Sequence, residues 1–134
     1  MATKILSIDD EPALLNLFKV ALGHKGYEVL TADNVDEGLR IAGQHDLALV
    51  MLDLHMRGES GLEAYAKLRR CRQTPVLFVT GDPSALVNDS SAEPCLWRLE
   101  IEEGKAGILC KPFDVQTLYD KVEALINRAR PATP

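Results

Sequence analysis

The chain has 134 residues, 46% of them hydrophobic and 26% charged, and carries a formal net charge of −5. This is enough for one domain with a proper core, expected over residues 1–130 with a short tail at 131–134. No Lys/Arg-rich run stands out and no apolar run could span a bilayer, which disfavours nucleic-acid and membrane partners. The start, Met1 to Leu6, lacks the long apolar region of a signal peptide. Cys71, Cys95 and Cys110 form neither a metal pattern nor a disulfide framework, so a reducing cytoplasm is the expected compartment. Cys110, inside an apolar run, reads as a small core residue.

In chain order, residues 3–8 read as a buried strand running into Asp9-Asp10-Glu11. Pro12 suits the first turn of a helix, and Leu14, Leu17, Phe18, Ala21 and Leu22 recur at helical spacing. Gly26 fits a left-handed cap, after which Tyr27 to Ala32 is a second strand. Asn34 with Glu37 resembles a capping box for a helix through about Gln44. The run Leu47 to Leu52 has no polar alternation, as in a strand buried on both faces of a parallel sheet, and it ends in Asp53. Ser60 with Glu63 marks a further helix through about Arg70. Pro75 to Thr80 and Gly107 to Lys111 read as the fourth and fifth strands. Asp114 can cap a last helix whose Leu118, Val122, Leu125 and Ile126 share one face.

Residues 82–106 are atypical. Pro83, Pro94 and the cluster Asn88-Asp89-Ser90-Ser91 should break a helix, and Leu96 to Ile101 reads as a short helix or an extra strand. A broken or remodelled helix is expected here, with Trp97 anchoring local packing. The alternation of strands and helices implies right-handed crossovers and a doubly wound parallel sheet. In such sheets a ligand site lies at the carboxyl ends of the strands.

Asp9, Asp10, Asp53, Thr80 and Lys111 all fall at those ends. Each has a plain reading as a turn, cap or solvated residue. Their joint placement on one edge asks for four coincidences. Two unit charges about 5 Å apart at an effective dielectric near 20 repel by roughly 3 kcal/mol, and a hard divalent cation such as Mg²⁺ removes that cost. A carboxylate beside Mg²⁺ can attack phosphorus. The transferring group then needs the positive charge of Lys111 and the hydroxyl of Thr80.

These residues lie in Ile8-Asp9-Asp10-Glu11, Leu52-Asp53-Leu54-His55-Met56 with Gly61-Leu62-Glu63, Val79-Thr80-Gly81 and Lys111-Pro112-Phe113. In these motifs the chain resembles the receiver domains of two-component response regulators, over about residues 3 to 128. The resemblance implies a flavodoxin-like α/β fold, CheY-like, with a five-stranded parallel sheet in the order 2-1-3-4-5. It implies that Asp53 accepts a phosphoryl group from a sensor histidine kinase or phosphotransfer protein. It also implies that Asp10, Asp53 and the His55 backbone carbonyl bind Mg²⁺ while Asp9 acts through water. Thr80 would move to bond the phosphoryl group, Lys111 would pair with it, and the Lys111-Pro112 bond would be cis.

Three departures from the family stand out. Arg57 replaces a usual proline four residues after the phosphoacceptor, which frees the loop or turns Arg57 to a partner. Ile108 replaces the aromatic usual three residues before the lysine, so the Thr-to-aromatic switch cannot operate as such. Thr80 and Lys111 are also several residues further apart than usual. The excess falls around the fourth helix, normally part of the output and dimerisation face, so the family's signalling surface does not carry over directly; a second copy of the chain is a separate candidate partner. His55 and Asp82 occupy variable positions that would flank the phosphoryl group and tune its lifetime.

The leading reading is a stand-alone receiver that signals to a downstream protein by docking and catalyses only its own phosphorylation and dephosphorylation. Alternatives are a receiver segment of a larger regulator and a receiver that signals unphosphorylated. A further one is a haloacid-dehalogenase-like phosphatase, against which stand the nucleophile's place on the third strand and His55 where that family has an aspartate.

Overall fold

The structure is a computed structural model, and residues 2–82, 84 and 96–129 are described. Five strands form a parallel sheet: β1 (Thr3–Ile8), β2 (Tyr27–Ala32), β3 (Leu49–Asp53), β6 (Val76–Thr80) and β7 (Ala106–Cys110). Their order is β2-β1-β3-β6-β7, all paired parallel. Counted along the chain this is the expected 2-1-3-4-5. The added detail is a small antiparallel hairpin, β4 (His55–Met56) with β5 (Glu59–Ser60), just beyond β3. The helices are α1 (Pro12–Gly23), α2 (Val35–Gln44), α3 (Gly61–Cys71), α4 (Leu96–Glu102) and α5 (Val115–Ala129).

The unbroken apolar run of β3 is explained by the two cores it serves. Leu49 and Met51 point to one side, packing with Phe18, Leu22, Leu118 and Val122 of α1 and α5. Val50 and Leu52 point to the other, packing with Ala42, Leu62, Tyr65, Leu68 and Trp97 of α2, α3 and α4. Successive strand residues face opposite sides, so a strand covered on both faces has no polar position to spare. Asp53 ends the run and remains buried.

Local signals set most element ends. The Asn34 side chain accepts a hydrogen bond from the Glu37 amide at 2.8 Å and Asp114 from the Thr117 amide at 2.7 Å, each cap contributing about 1 kcal/mol. Ser60 also caps, but its hydroxyl accepts from the Leu62 amide rather than from Glu63. Gly26 turns the chain into β2 with φ at +88°.

Two apolar assignments need correction. Leu17 is 40% exposed, because α1 covers the sheet through Phe18, Ala21 and Leu22, and Leu17 lies past the edge of that stripe. Cys110 is exposed rather than part of the core, because it ends edge strand β7.

Of the open alternatives at Leu96–Ile101, the helix is realised. Trp97 is buried as an anchor, with the Arg98 guanidinium over its ring at 5.3 Å. The expected breakers Pro83, Asn88 to Ser91 and Pro94 lie outside the described residues, as does the tail 131–134. Beneath α4 sits a feature the sequence did not announce. Glu100 is buried, accepts from the Tyr65 hydroxyl and is held by Arg69 Nη2 at 2.8 Å. Arg69 Nη1 also donates to the Thr74 carbonyl at 2.6 Å. Helix α4 is thereby fastened to α3 and to the loop entering β6.

Candidate functional site

The parallel sheet delivers the carboxyl ends of β1, β3, β6 and β7 to one edge. Asp9 and Asp10 follow β1 directly, and Asp53 is the last residue of β3. One ligand atom from each of the three lies within 4.8 Å of the others. Each carboxylate has one oxygen tied to a backbone amide. Asp9 Oδ1 accepts from Glu11 at 2.9 Å, Asp53 Oδ1 from His55 at 3.1 Å and Asp10 Oδ2 from Arg57 at 2.9 Å.

Asp9 is the strained member. It is 1% exposed, and Oδ2 has no hydrogen-bond partner. Its carboxyl is pushed up to about 6, chiefly by burial and further by the charge of Asp53; the Glu11 amide and the charge of Lys111 oppose the rise. A buried, partly unsatisfied carboxylate beside two others fits a hard oxygen-seeking cation, since a cation answers both the crowding and the missing partner.

Close contact at this edge rests on Gly61, the first residue of α3. A Cβ there would stand 2.6 Å from the Asp53 carbonyl oxygen and 2.6 Å from Leu54 Cα. Only a glycine lets the helix start this near the end of β3.

Thr80 ends β6 fully buried. Its hydroxyl accepts from the Asp82 amide at 2.9 Å and donates to the Asp82 carbonyl at 3.0 Å. The register pairs Val79 with Asp53 and Thr80 with Cys110, placing Thr80 beside the acid edge and next to Lys111. Lys111 is half-buried, and its amide donates to the Thr80 carbonyl at 2.8 Å. The Lys111-Pro112 bond is cis, as the resemblance implies. The His55 side chain is exposed. Asp82 is exposed too, its carboxyl held below the usual range by hydrogen bonds from Ser84 and by the His55 charge. Both therefore stand on one rim. Ile108 is half-buried against the core under α4 and lines an open cleft of about 720 Å³ between α4, β7 and α5.

The sequence matches the response regulator receiver domain over residues 5–123. The chain belongs to that family. The receiver is 34% identical over 128 residues to the nisin biosynthesis regulatory protein NisR of Lactococcus lactis subsp. lactis, covering 96% of this chain and 52% of that protein. Among solved structures it is similar to a response regulator receiver domain protein from Clostridium thermocellum, with a TM-score of 0.76 and 31% identity over 94% of this chain and 95% of the other. It is also similar to the response regulator TrrA of Thermotoga maritima in complex with Mg²⁺-BeF, with a TM-score of 0.71 and 30% identity over 92% and 98% of the two chains. The receiver spans about a quarter to a half of the length of the curated regulators it matches, from 27% to 52%.

The structure thus brings together Asp9, Asp10, Asp53, the His55 amide, Thr80 and Lys111, with Asp82 at the rim. Ile108 stands apart on the face under α4. Sequence reasoning missed the three backbone donors at Glu11, His55 and Arg57. Two of them follow an aspartate by two residues, a spacing at which Asp commonly bonds the backbone. The third bridges residues 47 apart and has no local signature. Arg57 was expected to loosen its loop or to face a partner. Its side chain is exposed, but its amide is committed inward to Asp10.

Proposed function

We propose that Asp53 is the phosphoacceptor of a two-component or phosphorelay system. The observation that carries this reading is the three-carboxylate cluster, with its atoms within 4.8 Å and a buried Asp9 oxygen left without a partner. Asp10, Asp53 and the His55 carbonyl would hold Mg²⁺ directly, with Asp9 acting through water. The cation, when bound, neutralises the carboxylates and shields phosphoryl oxygens from them.

The chain's own groups do the rest. The amide of His55 fixes one oxygen of Asp53, so the other is presented as nucleophile. That oxygen attacks phosphorus, the bond from phosphorus to the donor histidine nitrogen breaks, and the imidazole keeps the electron pair and takes a proton. Lys111 balances charge on the phosphoryl oxygens. Thr80 can reach them by releasing Asp82. Water later reverses the modification, with His55 and Asp82 on the rim to tune its rate. The chain therefore acts on itself rather than turning over an external ester.

The donor is a sensor histidine kinase or phosphotransfer protein, and output passes to a downstream protein or a second copy of the chain, in the cytoplasm. Among the described residues no helix is long and apolar enough to cross a membrane.

Incubation with Mg²⁺ and acetyl phosphate, followed by intact mass, tests the reading. One phosphoryl adduct is expected on the wild type, or donor hydrolysis if the adduct is short-lived, and neither on Asp53→Asn. Absence of both on the wild type would overturn it. Turnover of a generic phosphate ester would favour the phosphatase instead.

A further inference from the structure

Each acid of the cluster has one oxygen anchored by a backbone amide, and two of these anchors are local. Asp9 is held by Glu11 and Asp53 by His55, each two residues on. Asp10 is held from across the site by Arg57, through a 2.9 Å bond that links the end of β1 to the β4–β5 hairpin. Asp10 needs this anchor most, since it is only half-buried. A cleft of about 410 Å³ opens beside it, lined by Pro12, Asp33, Asn34, Met56 and Arg57.

We propose that the backbone N–H of Arg57 is a positioning group that tightens the hold of Asp10 on a divalent cation by fixing one of its oxygens, and that this is what a non-proline residue adds at position 57. Proline has no N–H to donate. The guanidinium is exposed, so the amide rather than the charge carries the role. The inference rests on the reading that these acids hold Mg²⁺.

The local backbone makes a clean test available. Arg57 and Gly58 are the two loop residues of the hairpin; Gly58 lies at φ +73° and among the described residues no non-glycine residue has positive φ. Turns with a left-handed glycine second accept proline first. Arg57→Pro thus removes the donor with little change of backbone shape, whereas Arg57→Ala keeps the donor and removes the charge.

Mg²⁺ titration by calorimetry should show Arg57→Pro binding about three- to tenfold more weakly, the factor set by one ordinary hydrogen bond. Arg57→Ala should retain wild-type affinity within about twofold. Equal or tighter binding by Arg57→Pro would overturn the proposal, as would an equal loss in Arg57→Ala. Amide hydrogen exchange on the wild type provides a measurement that does not depend on a variant folding. The Arg57 amide should stay protected with Mg²⁺ bound, and rapid exchange in that state would overturn the proposal. A wild type that binds no Mg²⁺ would sink the metal reading itself, whereas wild-type binding with an unaffected Arg57→Pro sinks only the role of the amide.

Discussion

Two buried carboxylates, one at the acid edge and one under α4, show how differently the two halves of this receiver are built. Glu100 is 4% exposed and Asp9 is 1% exposed. Glu100 is met by the Tyr65 hydroxyl and by Arg69 Nε at 2.9 Å to both of its oxygens. Asp9 has one amide and an empty side, with Asp10 and Asp53 for neighbours. The environment of Glu100 also drives the Tyr65 hydroxyl upward, through burial first and its bond to the carboxylate second. One carboxylate is satisfied by the fold. The other is left wanting at the site where a ligand is expected. Burial alone therefore does not mark function, and neither does a single unpartnered atom, since Ser7 Oγ also lacks a hydrogen-bond partner; what sets Asp9 apart is an unpartnered oxygen beside two further carboxylates.

The comparison can be broken most forcefully at Glu100. Glu100→Ala leaves Arg69 buried and unpaired, and should lower unfolding stability by about 3–5 kcal/mol, read by urea denaturation. A loss below about 1 kcal/mol would mean the cluster fastens nothing. A smaller effect is expected at Gly61, where the methyl of Gly61→Ala meets backbone at 2.6 Å. It should cost about 1–3 kcal/mol and slow phosphorylation of Asp53 by acetyl phosphate. Full activity at wild-type stability would show that α3 can retreat freely.

Asp9→Asn should act in the opposite sense to Glu100→Ala. The Asp9 carboxyl titrates near 6 in the fold against an ordinary 3.8, so the folded state binds more protons between about pH 4 and pH 6. Stability from this group is present below that window and is lost as pH rises through it. In metal-free buffer at pH 8, Asp9→Asn should gain about 1–2 kcal/mol, with the advantage gone below about pH 4. Thermal melts across that range measure it, and a destabilised variant at pH 8 would contradict the account.

The contrast also explains what could be read from the amino acids. The end of β3 was readable because that strand carries no polar residue until it leaves the core, so Asp53 announces its own position. The caps at Asn34 and Asp114 were readable because donor and acceptor lie three residues apart. The Glu100 cluster was not, because its partners lie 31 and 35 residues away and each looks like an ordinary surface residue on a helix. The Arg57–Asp10 bond was hidden for a further reason: its donor is backbone, which every residue but proline carries. Leu17 shows the converse error, an apolar residue in register with a buried stripe yet beyond its edge.

The resting engagement of Thr80 bears on any signal routed through it. Its hydroxyl is not idle; it donates its one proton to the Asp82 carbonyl and accepts from the Asp82 amide. A phosphoryl group on Asp53 would compete for a hydroxyl that already has a home, and the balance would be the difference between two hydrogen-bonding arrangements rather than the worth of one. Any signal routed through Thr80 would then be set in part by how firmly Asp82 holds that hydroxyl.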